Sequence, residues 1–218
     1  DDIHFETGET GIKNEIDESD LKRIDKAIDE ARLQADFILI SVHSHELSGD
    51  SKENPSDFLT YFAHRCIDKG AHAVIGHGPH LLRPVELYKG CPIFYSLGDF
   101  ALQLENGQYA PEDFYAKFGL TSDSSMYELF RVRTKNFTVG LQRQRVMMES
   151  VISCFEIEDG KLKKLEFMPV ELGFGEPHSK IGLPRKAKDD DILVRLQQMS
   201  EPYGTKMIIE NGIARVII

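Results

Sequence analysis

Three histidines stand where short apolar runs end. His43 closes "FILISV", and His77 and His80 follow "AVI" inside the turn Gly76-His77-Gly78-Pro79-His80. Neutral imidazole is a common ligand for divalent transition metals, so the spacing raises a metal site. A His-x-x-His turn can aim two rings at one ion from two sides, or at two ions. Gly76 and Gly78 free the backbone for this, and Pro79 stiffens it before His80. Taken singly, each histidine also reads as a hydrogen-bonded residue at a strand end or a loop cap. Two histidine-bearing strand ends with the same helix-then-strand lead-in argue against coincidence. In open α/β sheets, ligands gather outside the carboxyl ends of strands.

The elements that must position these residues are legible around them. Leu21, Ile24, Ala27, Ile28 and Ala31 recur at helical spacing between Asp20 and Gln34, with Asp17 or Ser19 as the cap. "DFILISVH", from Asp36 to His43, has a strand's composition. A second helix follows: Asn54 is the expected N-cap, Pro55 the first-turn residue, and Phe58, Leu59, Phe62, Ala63, Cys66 and Ile67 the apolar face, ending at Gly70. "HAVIGH" is the next strand. Helix, strand, helix, strand predicts an α/β layer with crossover connections. Beyond it, hairpins are expected at Lys89-Gly90, Asp159-Gly160 and Asn211-Gly212, with a helix at about Asp190–Met199. The stretch from 104 to 149 lacks clean periodicity. It carries Arg131, Arg133, Lys135, Arg143 and Arg145 and reads as a loop or lid insert in a single domain spanning 1–218. Its arginines suit carboxylates or phosphates, although a solvated basic face is the plainer reading.

Composition narrows the class. The 218 residues suffice for one sizeable core, and 41% hydrophobic content is that of an ordinary globular protein. A formal charge of −10 argues against a nucleic-acid partner. No apolar run approaches the roughly 20 residues that cross a bilayer. Cys66, Cys91 and Cys154 are odd in number and widely spaced, and they read as buried small hydrophobes. No G-x-S-x-G elbow surrounds Ser41, Ser44 or Ser96, which disfavours a Ser-His hydrolase. His64 and His72 read as structural or exposed, and His178 as a loop residue.

"ISVHSHE" followed by "GAHAVIGHGPHLLRPVELYKGCPIFYSLGDF" closely resembles the CapA family of poly-γ-glutamate capsule biosynthesis proteins, within the calcineurin-like metallophosphoesterase superfamily. The resemblance is strongest from about Asp36 to Phe100. It implies an α/β fold, the C-terminal part of a metallophosphoesterase-like sandwich of two stacked mixed β-sheets flanked by helices. It also implies a binuclear hydrolase site in which His43 and His77 share one metal and His80 reaches the other. Two such ions, roughly 3.5–4 Å apart, activate a water and stabilise an in-line displacement at phosphorus. Mn, Fe, Zn and Ni all accept such ligands. The substrate implied is a phosphoester or an anionic polymer.

Departures from the family pattern are equally informative. Many relatives have His-Trp-Gly where this chain has His43-Ser44-His45, so His45 and Glu46 are candidates for acid/base or substrate-binding roles, or plain loop residues. Many have Ser-Leu-Gly-Asn-Phe where this chain has Ser96-Leu97-Gly98-Asp99-Phe100, which places Ser96 and Asp99 as supports of the metal ligands. The superfamily's early Asp-x-His, Gly-Asp and Asn-His motifs have no convincing counterpart. Asp2-Ile3-His4 spells the first, but it reads as an accident in a polar loop. The chain is therefore expected to be the C-terminal portion of a longer protein, its partner being the missing N-terminal half of the same domain, with further copies in a homo-oligomer also allowed. Three histidines without bridging carboxylates are expected to bind metal weakly, leaving the piece inactive. A non-catalytic, polymer-binding scaffold of the cell envelope is the alternative. Either a cytoplasmic or an envelope-associated location is compatible with the chain.

Overall fold

The computed structural model describes residues 16–104 and 107–218. Two sheets with helices on the outside form an α/β sandwich. The first sheet is mixed and has the order β1 (Leu39–His43), β2 (Ala73–His77), β4 (Cys91–Phe94), β3 (Val85–Tyr88). The second is antiparallel. It runs β5 (Glu149–Glu158), β6 (Lys161–Glu171), β9 (Ile213–Val216), β8 (Met207–Glu210), with the short β7 (Arg185–Lys186) on β6.

Local signals explain most of these elements. α1 (Glu18–Arg32) starts at Asp17, whose carboxylate accepts from the Ser19 and Asp20 amides. α2 (Asp57–Asp68) starts two residues later than an Asn54 N-cap predicts. Leu47 and Pro55 form an isolated β-bridge that holds the backbone extended there, and Ser56 becomes the N-cap. The Asn54 amide instead donates to the Ser48 carbonyl at 3.3 Å. All three predicted hairpins form. Their turn pairs Lys89-Gly90, Asp159-Gly160 and Asn211-Gly212 each adopt two successive positive φ angles, the pattern of a tight two-residue turn.

β1 and β2 are parallel, joined by α2 as a crossover, and their register sets His43 beside His77. The helices cover one face of this sheet. Leu59, Ala63, Cys66 and Ile67 of α2 and Ile28 of α1 meet Val74, Ile93 and Tyr95. A two-toothed ion pair from Arg65 to Asp25, at 3.1 and 2.7 Å, ties α2 to α1. The other face packs on the second sheet. Leu82, Val85 and Phe94 meet Val151, Leu165 and Phe167, with α5 (Asp191–Ser200) adding Ile192, Leu193 and Leu196. Phe94 and Phe167 meet edge to face with centroids 6.1 Å apart.

Sheet edges are treated differently. The β3 edge is satisfied by side chains: the Val85 and Leu87 amides donate to Ser200 Oγ and Thr205 Oγ1 at 3.0 and 3.1 Å. β1 forms the opposite edge, with Leu39 48% exposed.

The stretch expected as an aperiodic insert holds two short helices, α3 (Glu112–Lys117) and α4 (Met126–Arg133), then two 3₁₀ turns at Leu141–Arg143 and Arg145–Met148. A Ser125–Glu128 capping box starts α4. Both helices span too few turns for a periodic stripe to stand out in sequence. The cysteine expectation holds for Cys66, which is buried, but not for Cys154, which is exposed. Cys154 sits near the middle of β5, paired with Glu166, where successive side chains leave opposite faces of the sheet.

Candidate metal centre

The histidines are placed by strand ends and by one close backbone approach. His43 and His77 are the last residues of β1 and β2, registered neighbours whose side chains leave the same face. The Ser44 amide donates to the His77 carbonyl at 2.8 Å, which extends the pairing one step into the loop. Gly76 allows β2 to lie against the 94–95 backbone. A Cβ there would stand 2.4 Å from the Tyr95 carbonyl oxygen. Gly78, at φ +122°, does the same for the histidine loop: a Cβ would stand 2.8 Å from the Ser44 carbonyl oxygen and 3.2 Å from His43 Nε2. His80 itself adopts φ +59°, a left-handed conformation uncommon for a non-glycine residue and often seen at functional sites.

Side-chain geometry gathers His43, His45 and His80. The Nε2 atoms of His43 and His45 are 3.1 Å apart, and the His45 and His80 rings are 6.0 Å apart, edge on. His80 Nδ1 pairs with the Asp99 carboxylate at 2.9 and 3.1 Å, which fixes the ring and leaves Nε2 as its other face. A carboxylate in this position is the usual orienting partner of a metal-ligating histidine. Asp99 is in turn set by its turn. Ser96 Oγ accepts from the Gly98 amide at 3.3 Å, and Ser150 Oγ donates to the Leu97 carbonyl at 2.7 Å, pinning residues 96–99 to the start of β5. Ser96 thus acts on the turn backbone. Glu46 accepts from Ser44 Oγ at 2.7 Å, and that bond is the main reason its carboxyl lies below the usual range. At neutral pH Glu46 is therefore an ionised acceptor.

His77 is exposed beside this group. The donor types fit a transition metal, but the cage is not closed: among the described residues no group of three or more His, Cys, Asp or Glu is positioned to hold an ion. Asp2-Ile3-His4 lies outside the described residues. His64 is accounted for structurally. Its ring stacks on Tyr88 at 3.8 Å, and its Nε2 meets the Glu86 carboxylate at 2.9 Å, where Tyr95 also donates at 2.6 Å. His72 Nδ1 accepts from the Ile38 amide at 3.0 Å. Arg83, a fully buried cation whose Nε donates to the Lys52 carbonyl at 3.0 Å, is not singled out by the sequence. Its signal was available: a charged residue flanked by the core residues Leu82 and Pro84.

A two-sheet α/β sandwich with histidines at the carboxyl ends of adjacent parallel strands defines the class. Residues 3–103 are similar to the family model of the bacterial capsule synthesis protein PGA_cap. Over 97% of its length the chain is 32% identical to an uncharacterized protein of Sinorhizobium fredii, covering 48% of it. It is 40% identical to the PGA biosynthesis protein CapA of Bacillus subtilis over 34% of this chain and 18% of that protein. It is 55% identical to a probable polyglutamine synthesis accessory protein of Mycobacterium tuberculosis over 29% of this chain and 16% of that protein. The chain spans about half the length of the curated relative that it matches nearly end to end. No helix among the described residues is long and apolar enough to cross a membrane.

Proposed function

We propose that the chain serves capsule or polyglutamate biosynthesis as part of a metal-dependent, phosphoester-type hydrolase acting on an anionic polymer or phosphoester. His43, His77 and His80 would hold divalent metal, two ions when further carboxylate ligands are supplied from outside the described residues, with Mn, Fe, Zn and Ni all suited to the donors. Asp99 orients His80, and Ser96 shapes the turn that carries Asp99. His45 and Glu46 line the site, with substrate contact as their role. The observation that carries this reading is the His80–Asp99 pair beside two registered strand-end histidines. The family match supports the biosynthetic setting.

The open cage favours a second reading, a polymer-binding scaffold without catalysis. One experiment separates the two. Metal content and Mn²⁺-dependent cleavage of a generic phosphodiester are measured on the full-length gene product, on this chain, and on full-length His77→Ala. About two metals with turnover in the full-length protein, both lost in the variant and in the chain alone, supports the hydrolase. A metal-free, inert full-length protein supports the scaffold.

A further inference from the structure

Past the last residue of β1 the chain keeps a strand's alternation for two more residues. The Ser44 amide donates to the His77 carbonyl at 2.8 Å, which continues the pairing with β2. Successive side chains of an extended chain leave opposite faces, so His43 and His45 share one face and Ser44 takes the other. Burial follows the same alternation: His43 and His45 are exposed, and Ser44 between them is buried. Ser44 Oγ donates to Glu46 Oε2 at 2.7 Å, a second tie that holds this stretch in place.

Two histidines fixed two apart on one face form a clip. Their Nε2 atoms stand 3.1 Å apart, with ring centroids 5.1 Å apart at a tilt of 51°. Two imidazole nitrogens, each roughly 2.0–2.1 Å from one zinc ion, stand about 3.3–3.4 Å apart at a tetrahedral angle. The pair is therefore a few tenths of an ångström from the bite of a chelate. Without metal, the same approach is a hydrogen bond in which one ring's N–H donates to the other's bare nitrogen. A divalent ion takes the place of that shared proton.

The surroundings suit a cation. A Cβ on Gly78 would stand 3.2 Å from His43 Nε2, so the glycine keeps the meeting point of the two rings uncrowded. Glu46 is ionised, its carboxyl held below the usual range chiefly by the Ser44 bond. The Asp99 carboxylate is bound to His80, whose ring lies 6.0 Å from that of His45.

The geometry points to His45 as a metal ligand that chelates one divalent ion together with His43. This assignment rests on the proposed metal centre and moves His45 from the rim of that centre into its ligand set. Among the described residues no set of three ligands closes a cage. An ion held by the clip therefore keeps open positions for further donors.

The test is a Zn²⁺ titration of the 218-residue chain, read by calorimetry and by the ring-nitrogen NMR signals of the histidines. Saturation at about one ion per chain is expected, with the Nε2 signals of His43 and His45 shifting together. His45→Asn and His43→Asn are each expected to weaken Zn²⁺ about tenfold or more, with an unchanged circular dichroism spectrum. Should a variant fail to fold, the wild-type ring signals decide. A His45 Nε2 signal that stays put at saturation, or equal affinity in His45→Asn, overturns the assignment. If His43→Asn then still loses Zn²⁺, the metal centre stands without His45. No saturable binding by the wild type overturns the chelate and leaves the pair as a hydrogen bond. The hydrolase reading is then judged separately, on the metal content of the full-length protein.

Discussion

Replacing Gly78 by alanine tests whether the histidine turn is held by backbone contact. Two penalties combine there. The φ of +122° is open to glycine but disfavoured for any residue with a Cβ, at about 1–3 kcal/mol. The added Cβ would also stand 2.8 Å from the Ser44 carbonyl oxygen and 3.1 Å from its carbon, against an ordinary contact of about 3.5 Å or more. Both are backbone atoms, so the clash is relieved only by parting the 43–44 and 77–78 segments, which strains the 2.8 Å Ser44–His77 hydrogen bond. Overpacking of this kind costs about 1–3 kcal/mol. The sum is roughly 2–6 kcal/mol, and at about 2–4 °C per kcal/mol for a chain of this size the melting point falls by about 4 °C or more.

The control is Gly49→Ala. Gly49 also has a positive φ, +67°, but nothing lies within 4 Å of an added Cβ. That variant isolates the conformational cost, about 1 kcal/mol. Urea unfolding of wild type, Gly49→Ala and Gly78→Ala, read at equal m-value, gives by difference the clash together with the extra conformational cost of φ +122° over φ +67°. Destabilisation of the two variants within 0.5 kcal/mol of each other, on the usual scale for uncoupled surface changes, would refute the claim that close backbone contact positions His43 and His77.

Four further outcomes follow from the structure. Asp99→Asn removes the charge that fixes His80 and should weaken Mn²⁺ binding by the metal-competent protein about 10- to 100-fold with little change in melting point, read by equilibrium dialysis beside calorimetry. Phe167→Ala empties the junction of the two sheets and should cost about 3–5 kcal/mol in urea unfolding, whereas loss of under 1 kcal/mol would mean that the sheets do not share this core. Burial pushes the Cys66 thiol from 9.0 to about 12, so its neutral form is favoured in the fold. Its contribution is full below pH 9 and is lost as pH rises from 9 towards 12, so under reductant Cys66→Ala should gain about 2–3 kcal/mol relative to wild type between pH 8 and pH 11. In native protein at pH 8 a thiol reagent should modify Cys154 rapidly and Cys66 only on unfolding.

What the sequence disclosed depended on how far apart the deciding residues lie. The hairpins at Lys89-Gly90, Asp159-Gly160 and Asn211-Gly212 were legible because a positive-φ turn is written in two adjacent residues. The α2 stripe was legible because burial of Leu59, Ala63, Cys66 and Ile67 repeats within three turns. The start of that helix was misread because Asn54 and Pro55 obey a contact with Leu47, which no local pattern records. Cys154 was misread because its exposure is fixed by which face of a two-sheet sandwich it leaves, a property of β6 and β9 as much as of its own strand.

The same distinction runs through the site. His43, His77 and His80 were found as types at strand ends, yet their register, which makes His43 and His77 neighbours, belongs to the β1–β2 pairing. The His80–Asp99 pair joins residues 19 apart and exists because Gly98, at φ +75°, turns the chain under the start of β5. Ser44 is buried and bonded to the His77 backbone, and the exposed His45 that follows it stands beside the rings of His43 and His80. Ser44 and His45 thus give the rim of the cluster one more imidazole and an ionised Glu46 held by a serine. That loop makes the rim of the histidine cluster polar, while the β1–β2 register beneath it keeps His43 and His77 side by side.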